Sequence, residues 1–286
     1  MKQRGPFIVL NASLLLLALC LTTLMHPSVA VSAEKRYSFG VVPQFEQRKL
    51  FGIWQPIFDE LERKTGLSFK LVTTLTIDDF DREFERGDYD FAYVNPYLAA
   101  RAAASHGTVP LAADTNPLRG IVVVPKGSPI RDMPALRDKM VAFPAPNAIG
   151  ATLLVLADLD QLFHARVKPL FVKTHSSVYL HVAKELVAAG GGVEKTLQEQ
   201  PQEIRDALRV LYTTRAFPSH PVTAHPRVPK EDREKVRRAL LAIAATPAGR
   251  EMFLKVPIKQ LGSVGPADYT KMLTWGLDKY VLPGED

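Results

Sequence analysis

The sequence predicts an α/β protein built as two lobes with a ligand cleft between them. Three observations carry this. Strand-like and helix-like stretches alternate along almost the whole chain. The chain has two candidate crossings between lobes, near Arg119-Gly120 and Thr214-Arg215, so it leaves one lobe, builds a second and returns. Before the first crossing stands a strand–Asn-Pro–helix turn, Asp88-Tyr-Asp-Phe-Ala-Tyr-Val-Asn-Pro-Tyr97, at the kind of strand end where open α/β sheets bind ligands.

In that turn, Phe91 to Val94 is short, apolar and β-prone. Pro96 stops the strand, because proline has no N–H to give to a ladder. It also suits the first position of an Ala/Leu-rich helix from Tyr97 to Ala104, with Asn95 as the cap. A polar residue and a helix N-terminus therefore sit together at a strand end.

The other elements follow in order. Tyr37–Val42 is a first strand, with Pro43-Gln44-Phe45 as its loop. Trp54, Ile57, Phe58 and Leu61 have helical spacing, and Thr65-Gly66 ends that helix. Leu67–Val72 is a second strand. Thr76–Arg86 is an amphipathic helix with Asp78 and Asp79 in its first turn, where the helix dipole favours acids. Leu111–Ala113, Ile121–Val124 and Lys139–Phe143 read as strands, Ile130–Leu136 as a short helical turn and Leu153–Leu162 as a helix. Lys168–Val172 is extended. His175-Ser-Ser177 caps a helix from Val178 to Ala188, which Gly190-Gly-Gly192 breaks. Ile204–Leu208 is a helical turn and Leu208–Tyr212 a strand. Thr213–Pro229, rich in proline and histidine, reads as a loop or crossover. Lys230–Ala245, Pro247–Val256 and Pro266–Val281 read as helices.

Composition excludes several functions. The 286 residues are 47% hydrophobic, enough for two modest lobes. The net charge of +6 is scattered with no basic run, which argues against nucleic acid. His175, His181, His220 and His225 match no zinc spacing, and no cysteine joins them, so neither a metal nor a cofactor is expected. No Gly-x-Ser-x-Gly nucleophile motif occurs, and the glycine run lacks the Lys-Ser/Thr of a nucleotide loop.

The N-terminus points to export. Lys2 and Arg4 precede an apolar run from Phe7 to Met25, then small residues at Val31-Ser-Ala33, with Ser28-Val-Ala30 as the second cut. An uncleaved anchor is the alternative. Leu19 precedes the single cysteine, Cys20, where a lipoprotein signal has a small residue, so a lipid anchor is not expected. The expected division is a signal peptide at 1–33, a first lobe of 34–119 plus 216–286 and a second lobe of 120–215, in a periplasmic monomer.

Five stretches, in order and at fitting spacing, resemble one family: Gly40-Val-Val-Pro43, Tyr89–Pro96, Val141-Ala-Phe-Pro-Ala-Pro-Asn147, Thr174-His-Ser-Ser-Val178, and Lys230–Met252 with its Thr-Pro-Ala-Gly249. From about Phe39 to about Tyr269 the chain is similar to the substrate-binding proteins of phosphonate, phosphite and phosphate ABC importers, a branch of the type II periplasmic binding proteins. The resemblance implies a non-enzymatic protein that closes on a small oxyanion and hands it to a membrane permease. It places ligand contacts at Gln44, Phe45, Tyr93, Asn95, Asn147, Thr152, His175, Ser176 and Ser177.

The residue chemistry agrees in kind. Helix N-termini offer free N–H groups, while Ser, Thr, Asn, Gln and Tyr add neutral donors. Without the family, each of these residues reads equally well as a cap, core or loop residue.

Two departures bear on the ligand. The cradle is Asn147-Ala-Ile-Gly-Ala-Thr152, with few hydroxyls, and the family's Gly-x-Val-Asp segment is here Gly191-Gly-Val-Glu-Lys195, with Glu194 as a stand-in for the aspartate. Competing functions are a sensor that reports to a membrane receptor or kinase, and an enzyme on the same fold such as the thiamine-pyrimidine synthases.

Overall fold

The computed structural model describes Met1 and residues 36–281; the apolar N-terminal run and both candidate cut sites lie outside the described residues. Two sheets organise the described chain. The first has six strands: β1 (Arg36–Val41), β2 (Ser68–Val72), β3 (Phe91–Tyr93), β4 (Val109–Asp114), β10 (Pro221–Ala224) and β11 (Leu261–Ser263). Their order is β11-β4-β10-β3-β1-β2, with β1 parallel to β2 and β3, and β10 antiparallel to β3 and β4. The second has five: β5 (Leu118–Pro125), β6 (Met140–Phe143), β7 (Lys168–Phe171), β8 (Ala189–Val193) and β9 (Leu208–Phe217), in the order β7-β6-β8-β5-β9. The chain passes from the first sheet to the second between Asp114 and Leu118, and returns between Phe217 and Pro221.

Apolar spacing explains the first lobe's helices. In α1 (Gln47–Thr65), Leu50, Ile53, Trp54, Ile57, Phe58 and Leu61 are buried at helical spacing. They meet an aromatic core in which Phe39 lies 4.8 Å from Phe58 and Tyr37 meets Phe91 edge-on at 5.4 Å. The helix starts about two turns before Trp54, at Gln47, and accommodates Pro56 in its interior. In α2 (Ile77–Arg86), Thr76 accepts a hydrogen bond from the Asp79 N–H. In α3 (Pro96–His106), Asn95 accepts from the Tyr97 N–H, with proline opening the helix. Gly66, Gly87 and Gly107 end these three helices in the left-handed conformation.

Three stretches differ from the sequence reading. The glycine run does not break a helix; it is β8, a central strand that pairs with both β5 and β6. The helix before it is α5 (His175–Ala183), capped by Thr174, and it stops short of Ala188. Each glycine of β8 is set by a close neighbour rather than by a turn. A Cβ on Gly190 would lie 2.5 Å from Val178, one on Gly191 2.0 Å from the Ala151 carbonyl oxygen, and one on Gly192 2.2 Å from the Tyr179 hydroxyl.

The proline- and histidine-rich stretch holds the end of β9 and all of β10, which lies inside the first sheet. Pro221 opens β10 at a place where no ladder N–H is needed of it, as proline in a sheet requires. The last expected helix is instead three short pieces, Ala267–Thr270, Lys271–Trp275 and Leu277–Tyr280, with Gly276 in the left-handed conformation before the last. The short segment Ala267–Tyr280 packs Tyr269, Met272 and Leu277 into a cluster with Tyr97 and Ala100 of one lobe and Ile149, Leu153 and Leu154 of the other.

The Gly191 contact gives a test. Gly191→Ala should destabilise the protein by about 1–3 kcal/mol through overpacking. Gly127→Ala, where a Cβ meets nothing within 4 Å, should change little. Urea denaturation of both variants checks this, and equal stability of the two would contradict the close-packing account.

Candidate functional site

A cleft of about 310 Å3 lies between residues carried by the two sheets. On the first-lobe side, Gln44 and Phe45 come from the loop after β1, and Tyr93 and Asn95 from the end of β3. On the second-lobe side, residues 148–151 precede and open α4 (Leu154–Gln161), and Thr174, His175 and Ser176 open α5. Three helix N-terminal ends thus border one cavity: those of α3, α4 and α5. The first N–H groups of a helix have no partner within it, and the dipole end there is positive.

The start of α4 is unusual. Ile149–Leu153 forms a wide π turn, closed by Leu153 N to Ala148 O at 3.2 Å and by Leu154 N–H donating to Ile149 O. Glycine makes room for it: a Cβ on Gly120 of β5 would lie 2.0 Å from the Gly150 carbonyl oxygen. The turn therefore lies directly against the backbone of β5 and β8, and residues 148–151 border the cleft.

The nine residues expected from the sequence part into two groups. Gln44, Phe45, Tyr93, Asn95, His175 and Ser176 line the cleft. Asn147, Thr152 and Ser177 do not. Thr152 is fully buried, and its hydroxyl donates to the Ala145 carbonyl at 2.7 Å, so it holds the loop and offers nothing to a ligand. The Asn147 carbonyl accepts from Asn95 Nδ2 at 3.0 Å, a bond between the lobes. Ser177 is spent on Thr174, accepting from its hydroxyl at 2.9 Å and donating its N–H to it at 3.0 Å. Even Asn95 is committed on both sides of its amide, as cap and as cross-lobe donor.

Several cleft residues were missed. Ser219 and His220 come from the returning crossover. Ser219 donates to the Asp114 carbonyl at 2.6 Å, which ties the two crossing segments together. His220 lies over Tyr93 with ring centroids 5.6 Å apart. Asp114, Lys195, Glu199 and Lys49 also line the cleft, beside apolar side chains such as Val42, Ile77, Leu118, Phe217 and Ile258. The available signal for Lys195 was its place directly after the glycine-rich segment. Glu194, the neighbour expected to stand in for an aspartate, is exposed and is not part of the cleft lining.

Burial controls the charges. Enclosure pushes His175 down to about 4, and its Nδ1 has no hydrogen-bond partner among the described residues. His220 is pushed down to about 3 by burial first, then by the Lys195 charge and by His175. Both imidazoles are therefore neutral near pH 7, each with one donor and one acceptor nitrogen. Burial also raises Tyr93, which stays a neutral phenol. For Asp114, burial works upward, but hydrogen bonds from the Lys259 and Asn116 N–H groups and the Asn116 side chain, with the Lys195 charge, outweigh it and hold the carboxyl below its usual range. Burial lowers Lys195, partly offset by Asp114 and Glu199. The wall thus combines neutral donors, helix N-termini and a charged corner. Among the described residues, no group of three His, Cys, Asp or Glu is placed to hold a metal.

The family model for the periplasmic substrate-binding proteins of phosphonate ABC transporters matches residues 39–269. The chain belongs to this family. Solved structures agree in fold. The binding-protein component of an ABC phosphonate transporter from Pseudomonas aeruginosa has a TM-score of 0.72 at 16% identity, covering 86% of this chain and 87% of its own. PhnD1 from Prochlorococcus marinus, solved in complex with methylphosphonate, has a TM-score of 0.75 at 13% identity, covering 87% and 100%. The GluR0 ligand-binding core from Nostoc punctiforme, in complex with L-glutamate, has a TM-score of 0.55 at 16% identity, covering 77% and 97%. Comparison with curated proteins gives no match. This phosphonate-family binding protein therefore has the two-lobed type II periplasmic-binding-protein fold, with its cleft between lobes, and its family is one of solute-binding proteins. Among its described residues no helix is long and apolar enough to cross a membrane.

The two depressed imidazoles give a pH prediction. In the unfolded chain a histidine titrates at about 6.5. Between that value and the folded values of about 4 and about 3, the unfolded chain binds more protons than the folded one. Unfolding free energy of the unliganded protein should therefore fall as pH drops through this window. Asp81, pushed up to about 8 by burial beside Asp78 and Glu85, adds an opposite slope shared by every variant. His175→Gln and His220→Gln should each lose less stability on acidification than the parent in urea titrations. Parallel pH profiles for parent and variants would refute this.

Proposed function

We propose that this family member is an extracytoplasmic solute-binding protein that captures a small oxyanion of the phosphonate, phosphite or phosphate type and delivers it to a membrane ABC permease. One observation carries the reading: the segments that open α4 and α5 and the Asn95 cap of α3 border a single cleft, whose wall adds the neutral donors Gln44, Tyr93 and His220, apolar side chains, and the charged Lys49, Lys195, Asp114 and Glu199. Phosphorus oxyanions present several acceptor oxygens around one centre, and such a wall meets them with many donors at once. The neutral imidazoles favour this chemistry, because each donates one hydrogen bond without a counter-charge that must first be desolvated.

In this reading the lobes expected at 34–119 with 216–286 and at 120–215 meet a few residues away from those bounds, because β5 and β9 of the second sheet begin at Leu118 and end at Phe217, and they close by a hinge at the crossing segments around 115–117 and 218–220. Tyr93, His175, Ser176, Gln44 and Phe45 contact the anion, joined by His220 and residues 148–151. Asn147, Thr152 and Ser177 hold the loops that present those groups. The protein acts in the periplasm after removal of residues 1–33, as a monomer, and needs no cofactor.

Isothermal titration with phosphate, phosphite, methylphosphonate, aminoethylphosphonate and sulfate tests the reading. A phosphorus oxyanion should bind, and at a hundredfold above its Kd it should stabilise the fold by about 2.7 kcal/mol. Tyr93→Phe and His175→Ala should each weaken that binding by about tenfold, equal to about 1.4 kcal/mol. A well-folded protein that ignores every phosphorus oxyanion would remove the phosphonate-type assignment while leaving the fold intact.

A further inference from the structure

The charged corner of the cleft is unexplained by neutral-donor recognition. Lys195 Nζ lies 3.6 Å from Asp114 Oδ2. The two residues belong to different lobes: Asp114 ends β4 of the first sheet, and Lys195 sits in α6 (Glu194–Gln198), directly after β8 of the second. Asp114 is fixed. Its Oδ1 accepts from the Asn116 N–H at 3.0 Å and the Asn116 side chain at 2.8 Å, and its Oδ2 accepts from the Lys259 N–H at 2.8 Å. It is only 6% exposed. Lys195 is not fixed in the same way. A separation of 3.6 Å is an ion pair rather than a short hydrogen bond, so the ammonium keeps donors for a further partner.

Other charges sharpen the assignment. Lys49 holds its ammonium 4.2 Å from the centroid of the Phe45 ring, a cation–π contact. Glu199 brings a second carboxylate to the wall. An oxyanion entering beside Asp114 and Glu199 meets like charge, and neutral imidazoles do not compensate it. The partly buried Lys195, near enough for its charge to act on His220, is the cation positioned to do so.

We propose that Lys195 is a ligand-contacting, specificity-determining residue of the cleft, and that Asp114 is its positioning residue. Asp114 draws the ammonium across the lobe boundary into the cleft; the ammonium then supplies the formal counter-charge that the bound oxyanion shares. This rests on the oxyanion reading of the same cleft. The arrangement favours anions that gain from a point charge, and the preference grows as the anion acquires its second negative charge.

The test is a double-mutant cycle on the full chain, with methylphosphonate and inorganic phosphate as probes in isothermal titration. Lys195→Gln should weaken binding by about tenfold or more in the parent, and by a smaller but still measurable factor in an Asp114→Asn background, where the ammonium has lost the carboxylate that places it; an equal loss in both overturns the positioning role. Lys195→Arg should retain most of the affinity. The loss in Lys195→Gln should be larger above the probe's second ionisation than below it, a dependence that a purely structural tie between lobes would not produce. Unchanged affinity in Lys195→Gln overturns the proposal. So does a loss that disappears in the Asp114→Asn background, which would make the pair only a cross-lobe tie. In either case the parent still binds and the oxyanion reading stands. A parent that binds neither probe overturns that reading and this inference together.

Discussion

The seat of the π turn on two glycine strands is the contact on which the rest of the cleft depends. The Gly150 carbonyl sits over Gly120 and the Ala151 carbonyl over Gly191, at separations that leave no room for a Cβ. Thr152 fixes the turn from inside through its hydroxyl on Ala145, and Asn95 reaches across from the other lobe to the Asn147 carbonyl. With the Gly150 and Ala151 carbonyls turned to the sheet, residues 148–151 line the cleft. A larger residue at 120 or 191 would lift the turn and move those residues relative to Tyr93 and His175.

The electrostatics follow from enclosure. A wall dry enough to make hydrogen bonds strong is also dry enough to strip protons from histidine. His175 and His220 are neutral because of the same burial that makes them useful donors. At Asp114, hydrogen bonds from backbone N–H groups and Asn116, with the Lys195 charge, outweigh the burial that works against the carboxylate. Formal charge persists in this cleft where other groups stabilise it, and the lobe boundary is where Asp114 and Lys195 meet.

What the sequence made legible was local. The apolar spacing of Trp54, Ile57, Phe58 and Leu61 gave α1, and Asn95-Pro96 gave both the end of β3 and the cap of α3. What it hid was set by distant neighbours. Gly190 to Gly192 read as a break because glycine is the common residue of turns, whereas here Val178, Ala151 and Tyr179 press on a strand. β10 was hidden because proline and histidine suggest a loop, yet Val222 to Ala224 pair on both sides within the first sheet. At Gly276 the opposite occurred: Pro266–Val281 read as one helix, yet it crosses a residue with φ of 67° that no helix holds.

The same distinction governs the cleft. Sequence identifies residues with donors, but only packing tells which donors are spent. Thr152 and Ser177 have hydroxyls of the right kind, and each gives its capacity to a backbone or a cap within its own loop. His175 Nδ1 is the contrary case, a buried polar atom that neighbouring protein groups leave unmatched. A buried polar atom without a partner is costly, and natural folds retain few of them. In the oxyanion reading, this nitrogen at the opening turn of α5, beside residues 148–151, is one the ligand would meet.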